Sequence, residues 1–178
     1  MKLYIAGLLA LIAAPVSADG YWTYGSWNVS SETTSAGNYL RRTCSARFGG
    51  DGEPVVHITV NSDDMGPPYT FPTVYVQEYA PRGYATRLQQ GQVVSFEFDN
   101  GWDTTAWAYS YFDEEGIPQA YSGLPHPHSQ NTLRAMRDSN LMVLAVSGRV
   151  FMNVYLDGFT AAYLKAMDEC GFTGAGVV

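Results

Sequence analysis

Charge is scarce in this chain. Only 15% of its 178 residues are Asp, Glu, Lys or Arg, against about 25% in an ordinary soluble protein, and 14% are aromatic. Disorder is thereby excluded, because it requires high charge and few aromatic side chains. The few charges lean one way, 17 acidic against 10 basic for a formal −7. A nucleic-acid partner is argued against, since such binding relies on clustered Lys and Arg to displace counterions. Catalytic signatures are missing too: there is no G-x-S-x-G, no H-E-x-x-H, no phosphate-cradling glycine loop and no dinucleotide fingerprint. Their absence weakens the case for an enzyme without closing it, as triads and carboxylate pairs are set by geometry. No cofactor is implied.

A long apolar run is also lacking. Lys2 is followed by the apolar or small stretch Leu3 to Ala14 and then by Pro15-Val16-Ser17-Ala18. Twelve residues are too few for a spanning helix, which needs about 20. A charged start, a short hydrophobic stretch and a small-residue ending describe a secretory signal, with cleavage expected after Ala18. Loss of Lys2 leaves nine basic residues against 17 acidic ones and a charge of −8. No later segment is apolar enough to cross a bilayer. The expected location is periplasmic or secreted.

Cysteine is limited to Cys44 and Cys170. No CxxC or Cys/His ligand spacing accompanies them, so redox and closed zinc chemistry are not indicated. In an oxidising compartment the two read as a disulfide. They stand 126 positions apart, and closing such a loop stabilises a fold by about 4–5 kcal/mol in the chain-entropy picture.

With no repeat and no linker, residues 19–178 read as one domain. Period-two alternation recurs along it. Val56, Ile58 and Val60 share one face, as do Val94, Phe96 and Phe98, and Val150, Met152, Val154 and Leu156 form a third row. Strands are expected at about 21–29, 39–48, 55–61, 73–80, 91–98, 104–112, 141–147 and 150–156. Asp99-Asn100-Gly101 and Ser147-Gly148-Arg149 read as tight turns. Phe159, Ala162, Tyr163, Ala166, Met167 and Cys170 follow the spacing of a helix with one buried face. A shorter helix over 130–138 uses Leu133 and Met136, with Ser129 as its N-cap. The expected fold is mainly β: an antiparallel β-sandwich or partly open barrel with a C-terminal α-helix packed on it.

The exported start, Trp27 ahead of Cys44, and the run Leu156-Asp157-Gly158-Phe159-Thr160-Ala161-Ala162 leading to Cys170 resemble small secreted proteins of alphaproteobacteria, distantly similar to invasion-associated locus B proteins. The resemblance implies a periplasmic β-rich domain with one disulfide. It brings no catalytic residues with it.

Two stretches are candidates for function. The first is the row Trp107, Tyr109 and Tyr111, which shares a strand face with Thr105. Most aromatic rows are core, and the opposite face here is mostly small, so the rings read first as a buried side. If exposed, they form a stacking platform for a glycan or an envelope protein. The second is residues 113–130, a Pro- and Gly-punctuated stretch read as a long loop, ending in His126-Pro127-His128. Alternate His residues are candidate ligands for zinc, copper or nickel, which would make the protein metal-binding or a metal-dependent hydrolase. Glu97 and Asp99, about 7 Å apart by strand rise, read as solvated and not as a glycosidase pair. Asp63-Asp64 reads as a polar loop without calcium-loop order. Arg41 and Arg42 are expected to pair with carboxylates, and His57 to be a surface or hydrogen-bonded residue. The leading expectation is a non-enzymatic envelope binding domain.

Overall fold

The computed structural model describes residues 20–36, 39–50, 52 and 54–178. The expected signal segment 1–18 lies outside the described residues. Along the chain come β1 (Gly20–Tyr24), β2 (Trp27–Ala36), β3 (Tyr39–Gly49), β4 (Val55–Asn61), β5 (Val74–Tyr79), β6 (Val93–Phe98), β7 (Asp103–Phe112), β8 (Pro118–Leu124), α1 (His128–Arg137), β9 (Leu141–Val146), β10 (Arg149–Tyr155) and α2 (Phe159–Glu169). The strands form one antiparallel sheet in the order β1-β2-β3-β4-β5-β8-β7-β6-β9-β10, and it is not closed. Among the described residues no helix is long and apolar enough to cross a membrane.

One strand joins the two halves of this sheet. Asp103 to Trp107 of β7 pair with β6, whereas Ala108 to Phe112 pair with β8. The sheet therefore folds over at β7, and alternating side chains from both halves share one core. Val56, Ile58, Val74 and Val76 come from one half and Val94, Phe96, Met142 and Leu144 from the other, all fully buried. The free ends meet near Trp27. Its indole N–H donates to the Tyr155 carbonyl at 2.9 Å, Ser26 N–H donates to the Asp157 carbonyl at 3.2 Å, and Phe48 on β3 lies 6.4 Å from the Tyr155 ring.

Helix α2 covers β1 to β4 with the stripe its sequence spacing predicts, since Phe159, Ala162, Tyr163, Ala166 and Met167 are buried. Gly158 opens the helix at φ 81°, where a Cβ would lie 2.0 Å from the Tyr24 carbonyl oxygen. Only glycine permits both the positive φ and that approach. Along the helix's flank, against the sheet, Lys165 Nζ sits 4.2 Å above the Trp22 ring and pairs with Glu169, which also pairs with Arg42. The Cys44–Cys170 disulfide is present, with Cα atoms 6.0 Å apart, fixing the end of α2 to β3.

Several expectations change. The stretch 21–29 is two strands, because Gly25 turns with φ 54° and starts a hairpin between them. The apolar row from Val150 to Leu156 is buried only in its second half. A register shift between Val150 and Met152 turns Val150 outward. Residues 113–130 are not a loop, since they hold β8 and the start of α1. Ser129 is not the N-cap of that helix: Pro127 occupies the position without a side-chain cap, and Ser129 is buried, its hydroxyl donating to the Phe71 carbonyl at 3.2 Å. The two expected turns stand. Ser147 and Gly148 both take positive φ, the geometry of a two-residue hairpin, and Gly101 does so between β6 and β7.

Replacing both Cys44 and Cys170 by Ala should lower the unfolding free energy by about 4–5 kcal/mol, read as a fall in the urea midpoint. Reduction of the native protein should raise its mass by two hydrogens. An unchanged midpoint and mass would contradict the cross-link.

Candidate functional site

The alternation that buries Val74, Val76, Ala120 and Leu124 necessarily sends their neighbours to the other face. On β5 these are Tyr75, Gln77 and Tyr79; on β8, Gln119, Tyr121 and Gly123; on β7, Tyr109 and Tyr111. Antiparallel pairing then lines them up in rows. Tyr109 stands opposite Tyr121, which stands opposite Gln77. Tyr111 stands opposite Gln119, which stands opposite Tyr79. A third row runs from Arg47 through His57 and Tyr75 to Gly123.

Gly123 lies at the bottom of this third row, beneath Tyr75 and Thr73. A Cβ there would lie 2.8 Å from Tyr75 Cβ and 3.2 Å from Thr73 Cγ2, so only glycine lets the neighbouring strand approach this closely. The face carries a groove of about 520 Å³ walled by Tyr75, Tyr109, Tyr111 and Tyr121, with Gln77 in its floor and Thr73 and Pro125 at one end. This is the size range of small-ligand sites. Among the described residues no Asp, Glu, Lys or Arg lines it.

The rings are held in fixed relation. Tyr109 and Tyr121 stack with centroids 5.5 Å apart and planes 26° from parallel, and Tyr111 meets Tyr121 edge-on at 6.1 Å. Beneath them runs a chain of polar contacts. Tyr111 OH donates to Gln119 Oε1 at 2.8 Å, Gln77 Nε2 donates to the same oxygen at 3.2 Å, and Gln119 Nε2 donates to Asp113 Oδ2 at 2.9 Å. Asp113 also accepts from the backbone N–H groups of Ile117 and Glu115, closing the β7–β8 turn. The Ile117 N–H, then Gln119, hold its carboxyl below the usual range. Asp113 thus serves the turn and orients Gln119.

The sequence candidates divide here. Trp107, Tyr109 and Tyr111 are 59%, 47% and 44% exposed, while Ala108 is buried. The first reading of this row as core is therefore overturned, because the small residues fill the tight space where the sheet folds over. The row does not act as one platform, however. Tyr109 and Tyr111 line the groove, whereas Trp107 lies outside it, opposite Val93 on β6. Tyr75, Gln77, Gln119, Tyr121 and Gly123 were not among the candidates. The strand 73–80 was expected, but its outward side chains were not read as a surface. The alternation over 118–124 is short and flanked by prolines.

His126 and His128 flank Pro127, both exposed. His126 stacks on Phe71 at 6.0 Å, and His128 is the first residue of α1. Among the described residues no three His, Cys, Asp or Glu side chains gather as a metal site would require. Glu97 is exposed and accepts from Ser95, and Asp99 accepts from the Asn140 N–H. Arg41 pairs with Asp63 at 3.1 Å, as the acid excess suggested.

Comparison with known proteins returned nothing similar: no protein-family profile, curated protein or solved structure matches the chain.

His57 borders the groove from behind Tyr75, ring centroids 3.7 Å apart, and its Nε2 is buried without a hydrogen-bond partner. Burial, reinforced by the Arg47 charge and opposed by a hydrogen bond with Gln77, lowers its pKa from 6.5 to about 4. A base lowered on folding binds its proton more readily in the unfolded chain. Stability is then complete above pH 6.5 and falls as the pH drops towards 4, by about 3 kcal/mol if this group acts alone. Replacing His57 with Gln should flatten denaturant-measured stability across that window. A wild-type profile already flat from pH 6.5 to 4 would refute the assignment.

Proposed function

We propose that this protein is an exported, non-enzymatic binding domain of the cell envelope whose groove on β5, β8 and β7 holds a neutral glycan. The observation that carries the reading is the pairing of stacked, exposed tyrosines with amides and hydroxyls in a concavity lined by no charged side chain. A sugar ring presents an apolar C–H face and a rim of hydroxyls. Aromatic rings cover the first at low entropic cost, and Tyr OH and Gln amide groups suit the second. Anionic sugars and acidic peptides fit less well, because the chain is acidic overall and Glu114 and Glu115 lie exposed beside Asp113.

A binding role is favoured over catalysis by the lining itself. Outside the tyrosines, the groove offers no side chain able to serve as nucleophile, acid or base near neutral pH except the Thr73 hydroxyl. Export is supported by the signal-like residues 1–18 and by the disulfide, a bond suited to an oxidising compartment.

Tetramers of N-acetylglucosamine and of β-1,4-linked glucose, titrated separately while tyrosine and tryptophan fluorescence is followed, provide the test. Tyr109→Ala and Tyr121→Ala should each weaken binding about tenfold, the loss of one good ring contact. Their melting temperatures should fall by only a few degrees, as both rings are exposed. Trp107→Ala, outside the groove, should bind like the native protein. Equal affinity in the Tyr109 and Tyr121 variants would remove the groove from the account.

A further inference from the structure

A second depression adjoins the groove and shares a wall with it. It lies between the segment 80–92 and the β7–β8 hairpin, has a volume of about 490 Å³, and is lined on one side by Tyr84, Thr86 and Gln89 and on the other by Phe112, Tyr111 and Gln119. Tyr111 lines both depressions, and Gln119, which accepts from its hydroxyl, is reached from the second. Tyr84 and Phe112 are 70% and 72% exposed, so this hollow too presents rings to solvent.

The wall formed by 80–92 is preformed. Leu88 is fully buried, and its N–H donates to the Glu78 carboxylate at 2.9 Å, which also pairs with Arg87 at 2.9 Å. Gln90 Oε1 accepts from the Ser110 N–H at 3.0 Å and Gly91 N–H donates to the Ala108 carbonyl at 2.9 Å, laying the segment along β7. Arg82 donates to the Glu115 carbonyl at 2.6 Å, linking it to the hairpin turn. Segments held this way incur little ordering cost when a ligand arrives.

We propose that the ligand is an oligosaccharide chain, several sugar units long, that passes over Tyr111 and occupies both depressions. The inference rests on the glycan reading of the first groove. Each hollow alone has the volume of a small-ligand site, and their common wall is a ring with a hydroxyl oriented by Gln119. A mono- or disaccharide fits within the first hollow and leaves Tyr84 and Phe112 unused. Linked units give each hollow an occupant, and the second contact becomes intramolecular once the first has formed.

The test is a length series, from the monomer to the hexamer of N-acetylglucosamine and of β-1,4-linked glucose, measured calorimetrically on the native protein and on Tyr84→Ala, Phe112→Ala and Tyr109→Ala. Affinity in at least one series should climb tenfold or more between dimer and hexamer. Tyr84→Ala and Phe112→Ala should remove that gain while leaving the dimer's affinity unchanged, and Tyr109→Ala should weaken every length. The two-hollow site is overturned if affinity stops rising at the dimer or if neither the Tyr84 nor the Phe112 variant affects the hexamer. Failure of every member of both series to bind would instead overturn the glycan reading, and this inference with it. Circular dichroism of the variants should match the native spectrum, since all three rings are exposed.

Discussion

The fold turns on one buried indole. Trp27 has no solvent exposure, packs at 5.2 Å against Phe159 of α2 and at 5.8 Å against Phe48 of β3, and donates its N–H to the Tyr155 carbonyl at the end of β10. An open ten-stranded sheet has two free ends and nothing in its ladder that obliges them to meet. Here the indole supplies the obligation: its apolar body needs the core, and its donor, once buried, needs an acceptor. Only one carbonyl serves it, and that carbonyl belongs to the opposite end of the sheet. Gly158, pressed against the Tyr24 carbonyl, then starts α2 where the two ends meet.

From that closure follows the shape of the outer surface. Bringing β2 and β3 to β10 bends the sheet sharply at β7, where Ala108 and Ala120 leave room for the fold. The large side chains of the same strands point to the outer face, so small inside and aromatic outside is one packing solution seen from two faces. Tyr109, Tyr111 and Tyr121 gather at this point because the bend excludes them from the interior. The rings are braced where they stand, Tyr121 by Tyr109 and Tyr111, and Tyr111 by Gln119, which Gln77 holds in turn.

Much of this architecture was legible in the sequence. The disulfide followed from two cysteines and a start that reads as an export signal, α2 from a clean helical stripe, and most strands from alternation, because each signal is local or nearly so. The site was half legible. Tyr109 and Tyr111 were visible as a row, but whether a row of rings faces inward depends on what the opposite side must pack against, and that is decided by the bend at β7. Tyr75 and Gly123 join the groove only through the register of β5 with β8, fixed by strands distant in sequence. Pro118 and Pro125 bracket β8 and gave its seven residues the look of a loop, though proline at strand ends is ordinary. The bulge near Val150 was invisible for a related reason, since one inserted residue reverses a face without altering composition.

The Cys44–Cys170 bond encloses β4 through α2, and so every residue of the groove, within one covalent ring. A protease that cuts a single exposed connector in that ring, the tip at Gly83 or the hairpin at Gly148, leaves the pieces joined through sulfur. The severed ends remain neighbours, held by ladders on both sides. Cleavage at one such point is thereby reduced from a loss of parts to a change of connectivity, and the groove keeps all its walls.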